Sequence, residues 1–330
     1  MAVATLRFFS ADAVRKALPM AEAIEAMKTA FAQLSSGQAV LPPRTRLDVA
    51  DHRGTALFMP AYLPDPGLIG VKIITLFDGN AERNLPRIQA MVCVLDGSSG
   101  RPLAVMDGTE LTAIRTGAAS GLATELLARP EASTVAIFGA GAQARTQLEA
   151  VCAVRSIRKA WVFDACPERA ETFAREVGRT LSLEIEPARS APEAVRGAEI
   201  ICTATTSKTP VFCDRDVSPG AHINAVGSYQ PWVQEIPRET VLRAHLVVDH
   251  RPSALAETGD LLIPMADGLF GADHIRAELG EIVSGEKPGR PSPQSLTLFK
   301  SVGVAIQDLA AAMRVLAVGA SLGLGTEVGW

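Results

Sequence analysis

A β-branched run that stops at two closely spaced glycines constrains the fold of this chain more than any other stretch. The segment Ser133-Thr-Val-Ala-Ile-Phe-Gly139-Ala-Gly141-Ala-Gln-Ala144 is typical of a buried strand, a tight turn and the start of a helix. Gly139 allows the sharp turn, Gly141 lets backbone N–H groups approach a pyrophosphate, and Ala144 lets helix and strand pack closely. The phosphates would then face the positive end of the helix dipole. This corner predicts a dinucleotide-binding unit.

An acidic residue follows the next predicted strand, where the dinucleotide fingerprint places one. Asp164 comes directly after Lys159-Ala-Trp-Val-Phe163. A carboxylate there accepts hydrogen bonds from the ribose hydroxyls of NAD and repels the 2′-phosphate of NADP, so NAD(H) is favoured. Arg169 lies close enough in sequence to leave NADP(H) open. The structural alternative is a tight turn of another α/β sheet, with Asp164 as a helix N-cap.

Composition excludes several classes of protein. The chain has 330 residues, which predicts two domains, and its net charge of -4 gives no indication of nucleic-acid binding. Its five cysteines form no Cys-x-x-Cys or His-Cys cluster, so we expect no metal site and a reducing compartment. The apolar segment from Leu309 to Leu324 is too short to span a bilayer, and no signal-peptide pattern occurs. A cytoplasmic α/β protein without a membrane partner is predicted.

The order of predicted elements divides the chain into two regions. The first region is α+β: a helix over 10–36 and a helix from Glu110 to Leu127, capped by Asp107, flank strands at Thr45–Val49, Ala56–Tyr62, Ile69–Phe77, Gln89–Leu95 and Pro102–Met106. The second region alternates helices at 142–154 and 167–180 with strands at 133–138, 159–163, 183–186, 198–204, 221–226 and 245–249, which indicates a parallel sheet. A long helix from Ser301 to about Leu322, with no strand after it, is expected to pack back on the first region.

Three positively charged residues have sequence neighbours that are unusual for a charged side chain. Arg44 follows two prolines, Lys72 interrupts an apolar strand where a charge is costly unless paired, and Arg115 lies in a helix of small residues. Cations that converge on one point would bind a carboxylate, which arginine can do bidentately. Taken singly, each has a structural alternative: Arg44 as a solvated loop residue, Lys72 at a sheet edge, and Arg115 paired with a helix acid.

Ten motifs in order carry a family resemblance over nearly the whole chain. They are Pro42-Pro43-Arg44, Met59-Pro60-Ala61-Tyr62, Gly70-Val-Lys72, Met106-Asp-Gly108, Leu111-Thr-Ala-Ile-Arg-Thr-Gly117, Gly139-Ala-Gly-Ala-Gln143, Thr203-Ala-Thr205, Asn224-Ala-Val-Gly227, Pro288-Gly-Arg290 and Phe299-Lys-Ser-Val-Gly303. Together they resemble the ornithine cyclodeaminase / mu-crystallin family. The resemblance implies NAD(P)-dependent chemistry on amino and imino acids, and a homodimer. It also implies an α+β substrate-binding and dimerisation domain, 1–118 plus 302–330, joined to a Rossmann-type domain, 119–301.

The resemblance also implies roles for particular residues. Arg44, Lys72 and Arg115 match the positions that bind the substrate carboxylate. Separately from the resemblance, we expect Lys72, Arg115 and Tyr229 to lie at the reacting atoms. The residues predicted to contact the dinucleotide are Arg115, Thr116, Gly139, Gly141, Ala142, Gln143, Asp164, Arg169, Thr203, Ala204, Thr205, Val226, Gly227, Ser228 and Val302.

One departure from the family pattern decides between reactions. Cyclodeaminases carry an acid/base aspartate in Gly-Gly-Asp-x-Pro, whereas this chain has Gly227-Ser228-Tyr229-Gln230-Pro231. Cyclodeamination needs a base that works near neutral pH, and a phenol with a pKa of about 10 is a poor one. Reduction of a cyclic imine needs only a hydride and a proton, which Lys72, Tyr229 or water can donate. A second departure is Arg87, which is interpreted either as a phosphate ligand or as a solvated side chain.

The sequence therefore predicts an NAD(P)H-dependent reductase of the ketimine-reductase branch. It would convert Δ1-pyrroline-2-carboxylate or Δ1-piperideine-2-carboxylate to L-proline or L-pipecolate. Three alternatives stay open: an ornithine cyclodeaminase, an alanine-type amino-acid dehydrogenase, and a non-catalytic binding protein that keeps the dinucleotide as a structural ligand.

Overall fold

The computed structural model describes residues 5–329 and contains two sheets. The strands are β1 (Thr5–Phe9), β2 (Thr45–Val49), β3 (Gly54–Leu63), β4 (Leu68–Phe77), β5 (Ile88–Asp96), β6 (Pro102–Asp107), β7 (Thr134–Phe138), β8 (Lys159–Phe163), β9 (Ile185–Pro187), β10 (Ile200–Thr203), β11 (His222–Ala225), β12 (His245–Val248), β13 (Ile275–Glu278), β14 (Thr297–Lys300) and β15 (Thr326–Gly329). The helices are α1 (Ala11–Ala17), α2 (Met20–Ser35), α3 (Gly108–Leu127), α4 (Ala142–Val154), α5 (Pro167–Leu181), α6 (Ala191–Val195), α7 (Arg238–Arg243), α8 (Arg251–Glu257), α9 (Gly259–Ala266), α10 (Leu279–Val283) and α11 (Ala305–Ser321).

The chain forms two compact units, and both boundaries differ slightly from those predicted. Unit 1 comprises Met1–Arg115 and Val304–Trp330, and unit 2 comprises Thr116–Gly303. The predicted divisions at 118 and 302 lie two to three residues away, because α3 runs without a break through the first boundary. Asp107 caps this helix as predicted, since its Oδ1 accepts a hydrogen bond from the Glu110 N–H at 2.7 Å.

Unit 1 is a seven-stranded sheet with helices on one face. The strand order is β15-β1-β6-β5-β4-β3-β2, antiparallel except for the β1–β6 pair. Helix α11 packs on β3, β4, β5 and α2. Residues 59–63 of β3 and 68–72 of β4 alternate between buried and more exposed positions, as expected where a sheet is covered on one side.

Unit 2 is an eight-stranded parallel sheet, so the predicted fold class is confirmed. Its order is β13-β12-β14-β11-β10-β7-β8-β9, and from β9 to β11 it has the doubly wound arrangement 3-2-1-4-5, after which β14 takes the sixth position. The residues of β7, β10 and β11 are almost all buried because helices cover both faces, with an apolar cluster on each.

Three predictions near the ends of the chain are wrong. The helix expected over 10–36 is two helices, because Leu18 precedes Pro19 and leaves the helical region at φ -129°, ψ 69°. The last helix begins at Ala305 rather than Ser301, since Gly303 has a φ of +79°. A strand, β15, does follow it and pairs with β1. This helix packs on the first region, as expected.

Candidate active site

Lys72 lies on the helix-covered face of β4 in unit 1. Residues two apart on a strand share a face, so Gly70 and Lys72 both point towards α11. A Cβ on Gly70 would lie 2.7 Å from Leu309 Cδ1, so the absence of a side chain there lets α11 approach the strand closely. Because α11 lies so close to the strand, the residue before Leu309, Asp308, reaches Lys72.

Asp308 forms ion pairs with two of the three predicted cations, Lys72 and Arg115. Its Oδ2 lies 2.7 Å from Lys72 Nζ, and its Oδ1 accepts a hydrogen bond of 2.8 Å from Arg115 Nε. Gln307 Oε1 accepts a further bond from Arg115 Nη1 at 2.8 Å and one from the Val304 N–H at 2.9 Å. All three charged side chains are at most 6% exposed. The three charged groups are therefore closely paired and shielded from solvent.

Burial shapes the titration of this cluster. Desolvation, with the nearby charge of Arg115, lowers the pKa of Lys72 to about 7, although Asp308 opposes the shift. The positive charge of Arg44 acts in the same direction as Arg115. Burial disfavours the charged form of Asp308, but the charges of Arg115 and Lys72 outweigh it and hold the pKa of this carboxyl below its usual value. Lys72 can therefore give or take a proton near neutral pH.

The cluster suits an anionic substrate. Arg44, Lys72 and Arg115 carry up to three positive charges against the single carboxylate of Asp308. Arg44 is half-buried in the segment before β2, and its charge is felt at Lys72. Neither Gln307 nor Asp308 was predicted from the sequence as a site residue. The available signal was a pair of polar residues inside an otherwise apolar, alanine-rich helix.

The glycine turn of unit 2 has the geometry that its sequence predicts. Gly139 has a φ of +96°, and a Cβ there would lie 2.6 Å from the Ala204 carbonyl oxygen. Asp164 supports the turn: its Oδ2 accepts a hydrogen bond from the Ala140 N–H at 2.9 Å, and its Oδ1 accepts one from the Cys166 N–H at 3.0 Å. Cys166, not Asp164, is the N-cap of α5.

The start of α4 leaves room and polar groups for a dinucleotide. Gly141 is the N-cap and supplies no side chain to the first N–H groups, and Ala142 begins the helix. A Cβ at Gly141 would meet only Arg169 Nη2, at 3.9 Å. Gln143 Oε1 is buried and accepts no hydrogen bond from the residues that the structure describes. These features fit a pyrophosphate, with Arg169 also 4.0 Å from Asp164 Oδ2.

The predicted cofactor residues Thr203, Thr205 and Gly227 lie at the carboxyl ends of β10 and β11. The Thr203 hydroxyl, the Thr205 N–H and hydroxyl, and the Gly227 N–H all donate hydrogen bonds to Glu235. Burial, with the charge of Asp260, raises the pKa of Glu235. Glu235 was not predicted, because Thr203 and Thr205 lie 32 and 30 residues away and no motif marks its separation of eight residues from Gly227.

The remaining predicted residues lie at several places in unit 2: Ala204, Val226 and Ser228 follow β10 and β11, Thr116 lies in α3, and Val302 follows β14. Ala204 and Val226 donate backbone hydrogen bonds to Phe138 and Thr203, and the Thr116 carbonyl accepts one from Gln147. The Val302 N–H donates to Asp249, and the Ser228 hydroxyl donates to the Val233 carbonyl.

Tyr229 and Arg87 are the two departures from the family pattern. The Tyr229 side chain is 38% exposed, next to the buried Ser228. Its role at the reacting atoms stays a prediction. Arg87 Nε lies 2.7 Å from Asp78 Oδ1 at the surface of unit 1, so the pairing favours the solvated interpretation over a phosphate ligand.

Comparison with known proteins identifies the family to which this chain belongs. A family model described as "Ornithine cyclodeaminase/mu-crystallin family" matches residues 6–318. The chain belongs to the ornithine cyclodeaminase/mu-crystallin family. Among its relatives, a Δ1-pyrroline-2-carboxylate reductase of Bacillus cereus is 40% identical over 320 residues, covering 97% of this chain and 98% of that protein.

Solved structures of family members share the fold. The Thermococcus litoralis Δ1-pyrroline-2-carboxylate reductase, in complex with NADH and L-proline, superposes with a TM-score of 0.94 at 43% identity, covering 98% of this chain and all of that one. An archaeal alanine dehydrogenase dimer with bound NAD gives 0.92 at 33% identity, covering 98% and 99%. The predicted family and its ketimine-reductase branch are thus confirmed.

The described part of the chain shows neither a membrane-spanning helix nor a metal-binding cluster. No helix among residues 5–329 is long and apolar enough to cross a membrane. Across the same residues, no group of three or more His, Cys, Asp or Glu side chains is arranged to hold a metal ion.

Proposed function

We propose that this protein reduces cyclic imino acids with a nicotinamide cofactor, converting Δ1-pyrroline-2-carboxylate or its six-membered analogue to L-proline or L-pipecolate. The buried Lys72–Asp308–Arg115 cluster carries the proposal, because it pairs anion recognition with a lysine whose pKa is about 7. Relatives named as reductases of this substrate, at 40% and 43% identity over nearly the full chain, support it.

Each residue of the cluster has a distinct task in this reaction. Arg44 and Arg115 bind the substrate carboxylate, with Arg115 held in place by Asp308 and Gln307. Lys72 holds a proton that it delivers to the imine nitrogen, and Asp308 keeps enough of the lysine protonated near neutral pH to do so. NADH, when bound, supplies the hydride. Exclusion of water from the cluster strengthens these charge interactions.

The dinucleotide belongs to unit 2 in this proposal. The Gly139–Gly141 turn and the start of α4 hold the pyrophosphate, and Asp164 accepts hydrogen bonds from the adenosine ribose. The loops at Thr205 and Gly227 complete the cofactor site. NADH is favoured over NADPH because the Asp164 carboxylate repels a 2′-phosphate. Arg169 is the residue through which NADPH would be tolerated.

A cytoplasmic homodimer is also proposed. The sheet face of unit 1 opposite the helices exposes Phe8, Ile69 and Met91 by 42%, 37% and 46%, which is unusual for apolar side chains on one surface. A second copy of the chain would cover this face. The dimeric alanine dehydrogenase supports that assembly. Light scattering in line with size-exclusion chromatography tests it, and the location of a fluorescent fusion in cells tests the compartment.

The direct test is a panel of substrates assayed by NADH and NADPH absorbance. We expect oxidation of NADH that depends on the five- or six-membered cyclic imine. Pyruvate with ammonia is the second arm, because the alanine dehydrogenase neighbour is 33% identical. L-Ornithine is the third arm. Ammonia release from ornithine without net NADH would instead establish cyclodeamination, and no turnover in any arm would refute an enzymatic role.

A further inference from the structure

Glu235 is a fully buried carboxylate at the edge of the unit 2 sheet where β10 and β11 end. Its Oε1 accepts hydrogen bonds from the Thr205 N–H at 2.7 Å and the Thr205 hydroxyl at 2.5 Å. Its Oε2 accepts from the Thr203 hydroxyl at 3.0 Å and from the Gly227 N–H at 2.8 Å. Four donors, from the end of β10 and from the loops after β10 and β11, therefore converge on one side chain, which fixes the two loops to each other.

The backbone of Glu235 is itself held by a buried ion pair. Asp260 Oδ1 accepts hydrogen bonds from the N–H groups of Glu235 and Ile236, at 2.7 and 3.0 Å. Asp260 Oδ2 lies 2.9 Å from Lys300 Nζ, and both side chains are at most 1% exposed. Lys300 ends β14 and pairs in register with Ala225 of β11. Glu235 is thus anchored, through Asp260, to β14, the strand paired with the β11 strand that precedes the Gly227 loop.

Gly227 shows how tightly the second loop is held. A Cβ on Gly227 would lie 2.3 Å from Glu235 Oε2, so no other residue fits there without moving the carboxylate. Burying a charge costs free energy, and an apolar side chain of similar size is often at least as stabilising. A buried carboxylate that accepts four hydrogen bonds, three of them from the loops after β10 and β11, therefore indicates that positioning those loops is its task.

The position of these loops points to one end of the cofactor. A doubly wound sheet consists of two mononucleotide-binding halves, and a dinucleotide lies across both. The half built on β7 and β8 carries the glycine turn and Asp164. The loops held by Glu235 belong to the other half. We propose that Glu235 is a positioning residue for the nicotinamide half of the dinucleotide. The inference rests on the proposed function, since it requires the chain to bind NADH.

The test compares NADH with ADP-ribose, which lacks the nicotinamide. Glu235→Gln keeps the size of the side chain, but its amide nitrogen is a donor and faces donors that the carboxylate accepted. We expect the Kd of NADH, measured by calorimetry, to rise about tenfold or more, with the Kd of ADP-ribose within about twofold of wild type. Thr205→Val, which removes only the hydroxyl donor, should give a smaller loss of the same kind.

A matched control is available at the opposite edge of the sheet. Glu199 also accepts a backbone N–H, from Ser133 at 2.8 Å, and two hydroxyls, from Ser133 and Thr134. It precedes β10, whereas the loops held by Glu235 follow β10 and β11. Glu199→Gln should change neither Kd.

Each outcome bears on the proposal. An NADH-specific loss in Glu235→Gln, or in Thr205→Val if the first variant does not fold, supports it. Unchanged NADH affinity in the variant overturns it. A parallel loss of NADH and ADP-ribose also overturns it, because Glu235 would then support the fold in general. Wild-type protein that binds ADP-ribose but not NADH overturns it too, whereas wild type that binds neither refutes the proposed function itself.

Discussion

Replacing Asp308 by asparagine removes the only negative charge that contacts Lys72 and Arg115 among the described residues. The substitution keeps the size of the side chain and one acceptor for the Arg115 hydrogen bond. It leaves Lys72 beside Arg115 with no carboxylate to offset the cost of its charge. The pKa of Lys72, already about 7 because of burial, therefore falls further.

The size of the effect follows from the distance between the groups. At an effective dielectric constant of about 20, unit charges at 4 Å attract by about 4 kcal/mol, and the Lys72–Asp308 contact is shorter, at 2.7 Å. The asparagine dipole and penetrating water recover part of this, so we expect the pKa of Lys72 to fall by about one unit or more. At pH 7 the protonated fraction then drops from about one half to about one tenth or less. Leaving two cations without their counter-charge also lowers the free energy of unfolding by about 3–5 kcal/mol.

The assay is kcat/KM for imine reduction between pH 5 and 9. Wild type should lose activity as the pH rises through about 7, because Lys72 loses its proton there. In Asp308→Asn this decline should move to lower pH by about one unit or more. The titration of the substrate itself is common to both proteins, so the difference reports on the enzyme.

A second buried aspartate provides the control. Asp216 pairs with Arg196 at 2.9 Å, but that arginine is 67% exposed and lies in unit 2. Asp216→Asn should leave the pH profile unchanged. If Asp308→Asn declines at the same pH as wild type with full kcat, the argument that Asp308 sets the protonation of Lys72 is refuted.

Three further predictions concern the proton donor, the cofactor and the assembly. Lys72→Met should lower kcat/KM by about 100-fold or more while the Kd of NADH stays the same, and activity within tenfold of wild type would count against the lysine as donor. Asp164→Asn should raise the NADPH-to-NADH ratio of kcat/KM by about tenfold, since the repelling charge is lost; an unchanged ratio argues against that role. Met91→Asp should reduce the mass seen by light scattering to that of one chain, whereas Leu242→Asp, equally exposed in unit 2, should not. A dimer that survives Met91→Asp would place the interface elsewhere.

Local patterns predicted the central elements because those elements follow local rules. The bounds of β2, β8 and α4 are those predicted, since turn residues flank clear periodic runs. Strands β1, β13, β14 and β15 were missed. The last three have four residues each, at least one of them charged, whereas the equally short β10 and β12 are mostly apolar. The break at Pro19 was visible, but a proline in a first helical turn was the competing interpretation.

The site was predictable only where a residue conflicted with its surroundings. Lys72 in an apolar strand and Arg115 in a helix of small residues drew attention for this reason. Their partner Asp308 did not, because it lies 193 residues beyond Arg115 and only the fold brings them together. Glu235 is a similar case, since an acidic residue in a loop has nothing unusual about it. Long-range pairing of charges is the information that local sequence patterns lack.

Unit 1 is built from two segments of the chain with unit 2 between them, so it is completed only late in synthesis on the ribosome. Lys72 and Arg115 are made early, whereas Asp308 follows only after all of unit 2. At about 5–20 residues per second, the 193 residues between Arg115 and Asp308 take roughly 10–40 s to translate. During that time Lys72 and Arg115 lack the carboxylate that offsets the cost of burying their charges. The part of the nascent unit 1 sheet around them therefore stays hydrated. Unit 2 is contiguous and can close first, and the Lys72–Asp308–Arg115 cluster forms when α11 arrives.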